Sequence, residues 1–146
     1  MSNDLRLLEI GIRQKVFKAI DIMKQSFELK SLGVEDICVV ETKRTLATQM
    51  AYYSRGRMAV KDVKLMYNAA GLYNISNEEA KTPNTWTLES KHLEGKAVDL
   101  APMRKGVIWW NAPHEVWELM GEIGESTGLQ WGGRWKENKD TPHFQV

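Results

Sequence analysis

Gly95-Lys96-Ala97-Val98-Asp99-Leu100-Ala101-Pro102 is the stretch on which the fold turns. Its small and branched apolar residues read as a strand, which Pro102 is expected to stop. Val98 and Leu100 fall on one face, and Ala97, Asp99 and Ala101 on the other. A carboxylate placed there is costly unless a cation or hydrogen-bond donors meet it. Taken alone, Asp99 fits a structural pairing with an arginine as well as it fits a metal or catalytic role.

On either side of this strand the chain alternates between two periodicities. His143-Phe144-Gln145-Val146 alternates polar and apolar as a half-buried strand does. Residues 36–41 and 106–110 read as two more strands. Apolar residues at Leu5, Leu8, Ile12, Val16, Ile20, Met23 and Phe27 form one helical stripe, which predicts an amphipathic helix over 5–27. Helices are also predicted over 45–57, over 60–70, and from Asn111-Ala112-Pro113 to about Gly128. Residues 71–89, with Asn74, Ser76, Asn77, Pro83 and Asn84, read as a surface loop. Helices and strands mix without βαβ alternation. The expected class is α+β, a small antiparallel sheet flanked by helices. With 146 residues and no internal repeat, residues 1–146 are expected to form a single domain.

Charge and cysteine usage narrow the function. Lys and Arg number 20 against 19 Asp and Glu, a formal net charge of +1. That is no surplus for gripping phosphates, so nucleic acid is not an expected partner. No apolar run approaches the roughly 20 residues that span a bilayer, so membrane insertion is not expected. The first residues show no basic start leading into an apolar block, which predicts a cytoplasmic product made without a signal peptide. Cys38 is the one cysteine, read as a small buried hydrophobe. Any metal must therefore be held by His, Asp or Glu.

His92 sits seven residues before Asp99, across Gly95. A glycine turn lets a loop-borne imidazole and a strand-borne carboxylate converge, and the pair favours a ligand over a surface histidine. Pro142 drives its neighbours extended and sets His143 and Gln145 on one face of the last strand. Two imidazoles and one carboxylate leave a fourth position open on a tetrahedral zinc, the pattern of a catalytic site. Asp140 is placed to face the same ion as a proton carrier, or else is a solvated loop acid beside Lys139. Arg44 follows the 36–41 strand and suits a substrate carboxylate or a developing oxyanion, or is a solvated charge. Trp131, Trp135, Trp109 and Trp110 flank these residues as core, rim or groove lining, and His114 is read as surface.

Ser90-Lys91-His92-Leu93-Glu94-Gly95-Lys96-Ala97-Val98-Asp99 resembles the S-x-H-x-x-G-x-A-x-D signature of the D-Ala-D-Ala carboxypeptidase and L-alanyl-D-glutamate endopeptidase family of zinc peptidases. Asp140-Thr141-Pro142-His143-Phe144 resembles its closing D-x-P-H-F element, and Trp131-Gly132-Gly133-Arg134-Trp135 its W-G-G-x-W approach. Arg44-Thr45, Gln49 and Tyr53-Ser54-Arg55-Gly56-Arg57 resemble its R-[ST]…Q…L-Y-x-x-G-R block. The resemblance runs from about Val40 to Val146. It implies one zinc ion on His92, Asp99 and His143, Asp140 as general base, and Arg44 as the transition-state arginine. It also implies Ser90, Gln49 and Trp131 as substrate contacts, and the small fold shared with the Hedgehog signalling domain. Two departures stand out: Arg134 replaces the family's usual Asp, and residues 58–89 are longer than its usual link.

Within the family, the Asp-type base and the block around Arg44 look most like phage endolysins. The implied function is a zinc-dependent endopeptidase that cuts the L-alanyl-D-glutamate bond of the peptidoglycan stem peptide after release from the cytoplasm. It is expected to act as a monomer. The alternatives are a D,D- or L,D-carboxypeptidase trimming stem peptides, and a metal-binding module that has lost catalysis.

Overall fold

The computed structural model describes residues 2–146. Helix α1 runs Ile10–Gln25 and buries Ile12, Val16, Ala19 and Met23. The expected stripe ends there, because the Ser26 hydroxyl accepts from Leu29 N–H and starts a separate helix, α2, at Phe27–Ser31. The new helix turns Leu29 into the core and leaves Phe27 82% exposed, so Phe27 does not belong to the stripe. Strand β1 spans Asp36–Glu41, the segment read as a short strand from its β-rich residues. Thr45 caps α3, Leu46–Ser54, and α4 follows at Val60–Ala69. The segment expected to be loop contains a further helix, α5 at Asn77–Lys81, capped by Ser76.

Strand β2 covers Ala97–Arg104 and runs through Pro102. The Pro102 carbonyl accepts from Trp109 N–H, whereas the Met103 carbonyl turns the other way to Glu35 N–H. The proline nitrogen therefore points away from β1 and costs that ladder no bond. A short β3, Val107–Ile108, pairs with this end of β2. Helix α6 covers His114–Ser126 with Pro113 at its cap. The chain closes with β4, Gln130–Trp131, and β5, His143–Gln145.

All pairings are antiparallel, in the order β1-β2-β5-β4 with β3 beside β2. One face of this sheet packs Val98, Leu100, Trp131 and Phe144 against Ile12, Val16 and Met23 of α1 and Val116 and Met120 of α6. The small α+β fold read from the sequence is the one observed. A second cluster, Ala51, Tyr52, Val63, Tyr67, Ile75 and Ala80, ties α3, α4 and α5 together beside the sheet. Ile75 and Ala80 are the apolar anchors that make 71–89 more than a loop. Cys38, expected to be buried, is only half-buried on β1. Among the described residues no helix is long and apolar enough to cross a membrane.

Candidate metal centre

Strands β2 and β5 lie side by side, so Asp99 stands directly across from His143. His92 comes from a 3-10 turn, Lys91–Glu94, that leads into β2. Ser90 caps this turn by accepting from His92 N–H at 3.2 Å. Gly95 closes it at φ +71°, where a side chain would press on the Leu7 carbonyl. The result sets His92 Nε2 and His143 Nδ1 each 3.2 Å from Asp99 Oδ1. One donor atom from each of the three residues lies within 4.8 Å of the others.

The outer nitrogens of both rings are already engaged. His92 Nδ1 meets the Thr42 carbonyl at 2.6 Å, and a carbonyl only accepts, so this nitrogen carries the hydrogen. His143 Nε2 likewise faces Gln145 Oε1 at 2.9 Å. Both inner nitrogens thus present lone pairs toward a carboxylate, three acceptors around one point. A metal cation satisfies that set, and the outer hydrogen bonds are those that orient ligating histidines. In the metal-free protein a proton takes the cation's place. Burial works against the charged form of His143, but its hydrogen bond to Asp99 prevails and raises its pKa. Burial also works against the Asp99 carboxylate, yet hydrogen bonds from His143 and His92 hold its pKa well below the usual range.

Asp140 stands beside this set, with Oδ2 3.9 Å from His143 Nδ1. Burial, then the charge of Asp99, raises its pKa above the ordinary carboxylate value. Its loop is fixed from within the W-G-G-x-W stretch. Asp140 N–H donates to the Gly132 carbonyl, and Trp131 Nε1–H donates to the Thr141 carbonyl at 2.7 Å. A side chain at position 132 would collide with the Asp140 backbone, so the loop's path requires Gly132.

Arg44 is no solvated charge. A bulge in β1 after Val39 places Glu41 opposite Asp99 and turns its carboxylate inward, where it is 3% exposed. Glu41 Oε1 accepts from Nε and Nη2 of Arg44, Gln49 Oε1 accepts from Nη1 at 2.7 Å, and the Tyr52 ring lies 4.8 Å beneath the guanidinium. Of five N–H groups three are taken, leaving one on each terminal nitrogen for a ligand.

Arg44, Tyr52, His92, Asp99, Asp140 and His143 line a cleft of about 520 Å³, together with Asn84, Thr85, Trp86, Thr87, Ser90, Lys91, Trp135 and Lys139. Two expected substrate contacts lie elsewhere. Gln49 is fully buried behind Arg44, both ends of its amide engaged by protein. Trp131 is buried too, its ring packed on Gly121 of α6. The tryptophans of the cleft are Trp135, 5.2 Å from the His143 ring, and Trp86, which is 62% exposed. Trp86 lies in the segment read as a surface loop, where no periodicity marks it, and Glu41 is turned inward by a bulge that strand periodicity does not reveal. Arg134 bridges Glu118 and Glu125 of α6 and stacks over Trp131, so the exchange of Asp for Arg fastens this loop to α6 from outside. His114 sits on the surface, 3.6 Å from Glu118.

Comparison with known proteins places this architecture. Residues 83–146 match the sequence profile of the D-alanyl-D-alanine carboxypeptidase family. The chain is 28% identical over 119 residues to the peptidoglycan L-alanyl-D-glutamate endopeptidase CwlK of Bacillus subtilis, covering 76% of this chain and 60% of that protein. The Serratia marcescens L-Ala D-Glu endopeptidase ChiX shares the fold at a TM-score of 0.60 and 23% identity, over 97% of this chain and 82% of that one. A variant of the vancomycin-resistance D,D-pentapeptidase VanY, in complex with Zn(II), shares it at a TM-score of 0.51 and 18% identity, over 95% and 72%.

Proposed function

We propose, starting from the chain's kinship with the D-alanyl-D-alanine carboxypeptidase family, that it is a zinc-dependent peptidase of bacterial peptidoglycan. The bond cut is the one between L-alanine and D-glutamate of the stem peptide, and the enzyme is of the phage-endolysin type, reaching the wall after release from the cytoplasm. The observation that carries this reading is the convergence of His92 Nε2, Asp99 and His143 Nδ1 with both outer nitrogens engaged and Asp140 alongside. The relatives that act on the L-alanyl-D-glutamate bond favour the endopeptidase over a carboxypeptidase.

His92, Asp99 and His143 would hold the zinc, which supplies Lewis acidity toward water and the scissile carbonyl. The residues of this chain do the rest. Asp140 takes the proton of the attacking water and returns it to the leaving amine. Arg44 offers its two remaining N–H groups to the oxygen that becomes negative, and its hold on Glu41, Gln49 and Tyr52 means little reorganisation is needed. Trp135 and Trp86 wall the cleft that receives the peptide.

The test is digestion of purified peptidoglycan with and without a chelator, the new termini identified by mass spectrometry. Chelator-sensitive release of peptides beginning at D-glutamate is the expected result, and free D-alanine would move the protein to the carboxypeptidases. Asp140→Asn is expected to keep zinc and lose at least about a hundredfold in turnover, the range of general acid–base catalysis. Full turnover in that variant would remove Asp140 from the reaction.

A further inference from the structure

Residues 83–89 form one wall of the cleft through Asn84, Thr85, Trp86, Thr87 and Glu89, with no helix or strand of their own. Among the described residues, every hydrogen bond that joins this strap to the rest of the chain comes from one side chain, Gln49. Its Nε2 donates to the Thr87 carbonyl at 2.8 Å and lies 3.5 Å from Thr85 Oγ1. Its Oε1 accepts from Arg44 at 2.7 Å. The polarity is fixed at both ends, since a guanidinium only donates and a carbonyl only accepts. The amide is fully buried, so water cannot replace either bond.

We infer that Gln49 is a positioning residue that pins the 83–89 strap and sets Arg44 in one step, so that the substrate-facing wall and the oxyanion-facing arginine are held in register. The inference rests on the peptidase reading for its kinetic part, while its structural part stands apart from it. Gln49 touches no substrate. It acts through Thr87 on the wall and through Arg44 on the reacting carbonyl.

Two substitutions separate its halves. Gln49→Glu keeps an acceptor for Arg44 but has no hydrogen for the Thr87 carbonyl when ionised, so it frees the strap alone. Gln49→Met is of similar length and removes both bonds. Limited chymotrypsin digestion of the metal-free protein reads the strap directly, since Trp86 and Leu88 are its exposed cleavage points. Both variants are expected to be cut within 83–89 about tenfold faster than wild type, the effect of one lost buried hydrogen bond. On peptidoglycan, Gln49→Glu is expected to raise KM about tenfold with kcat little changed, and Gln49→Met to lower kcat by about tenfold as well. Should Gln49→Met fail to fold, Gln49→Glu carries the test. Strap cleavage as slow as wild type overturns the inference, as do wild-type KM and kcat in both variants. Wild-type protein that cuts no peptidoglycan refutes the peptidase reading instead, and the digestion result still decides whether Gln49 pins the strap.

Discussion

Gly124→Ala would be a routine stabilising change on an exposed helix, worth up to about 1 kcal/mol in helix propensity. On this α6 it should do the opposite. A Cβ at position 124 would lie 2.6 Å from Phe144 Cδ1 and closer still to Cε1. Carbon atoms rest at about 3.5–4.0 Å, so the ring must retreat by about 1 Å. Phe144 is fully buried and its strand is paired on both sides, with Val98 of β2 and Trp131 of β4. Retreat therefore drags β5, and His143 is the next residue. Overpacking of this kind costs about 1–3 kcal/mol, which leaves a net loss of up to about 2 kcal/mol after the full propensity gain. For a domain of this size that is a fall in Tm of up to roughly 8 °C. Displacement of one ligand should also weaken zinc binding and slow turnover, by as much as about a hundredfold for a 1 Å error. Thermal unfolding of the metal-free protein and competition with a zinc-binding dye measure the two effects. A higher Tm with unchanged zinc affinity would refute the argument that α6 seats the metal ligand through Phe144.

Zinc affinity and metal-free stability should depend on pH in opposite ways. The raised pKa of His143 means its contribution to stability is complete below about pH 6.5 and is lost as pH rises through the raised value. The lowered pKa of Asp99 means its contribution is present above about pH 4 and is lost as pH falls through the lowered value. The chelated protein should thus be most stable under mildly acid conditions, while zinc binds more tightly as pH rises and His143 gives up its proton. Denaturation and zinc titrations from about pH 4 to pH 9 check both signs. Trp131→Phe should keep most of the packing but remove the donor to the Thr141 carbonyl, costing about 1 kcal/mol and loosening the Asp140 loop. Turnover should fall more than zinc affinity, and equal losses would show that the loop is held elsewhere.

Local rules made some of this structure legible in the sequence. Asp36–Glu41 was readable from its β-rich residues and His143–Gln145 from its alternation, signals that act within a few residues. The meeting of His92, Asp99 and His143 was readable because Gly95 and Pro142 restrict the chain on either side. What escaped depends on contacts between distant elements. Phe27 fits the helical period, but Ser26 ends one helix and starts the next at Phe27, which turns that residue outward. Pro102 reads as a strand breaker, yet its nitrogen faces a side of β2 where β1 needs no donor. Gln49 and Trp131, expected to touch substrate, are buried outside the cleft lining, since sequence spacing does not say whether a residue faces the cleft or lies behind it. Glu41 was hidden by a single-residue bulge, the smallest change that reverses a side chain's direction.

That bulge also sets the charges around Asp99. In a regular ladder Val40 would pair with Asp99; the bulge replaces it with Glu41, a second carboxylate next to the first. Two adjacent acids are unfavourable unless each has its own cation. Arg44 answers Glu41, and either a protonated histidine or a metal answers Asp99. The arrangement keeps the two positive charges apart by giving each its own acid. Arg44 is thereby held on Glu41 while it lines the same cleft as Asp99. Removing Glu41 should then do more than loosen Arg44. In Glu41→Gln the guanidinium loses its charged partner, at the position paired with Asp99 across the ladder. Zinc affinity should fall along with turnover, although Glu41 touches neither the ligands nor the substrate. Zinc binding at wild-type strength in that variant would show that the two acids act independently.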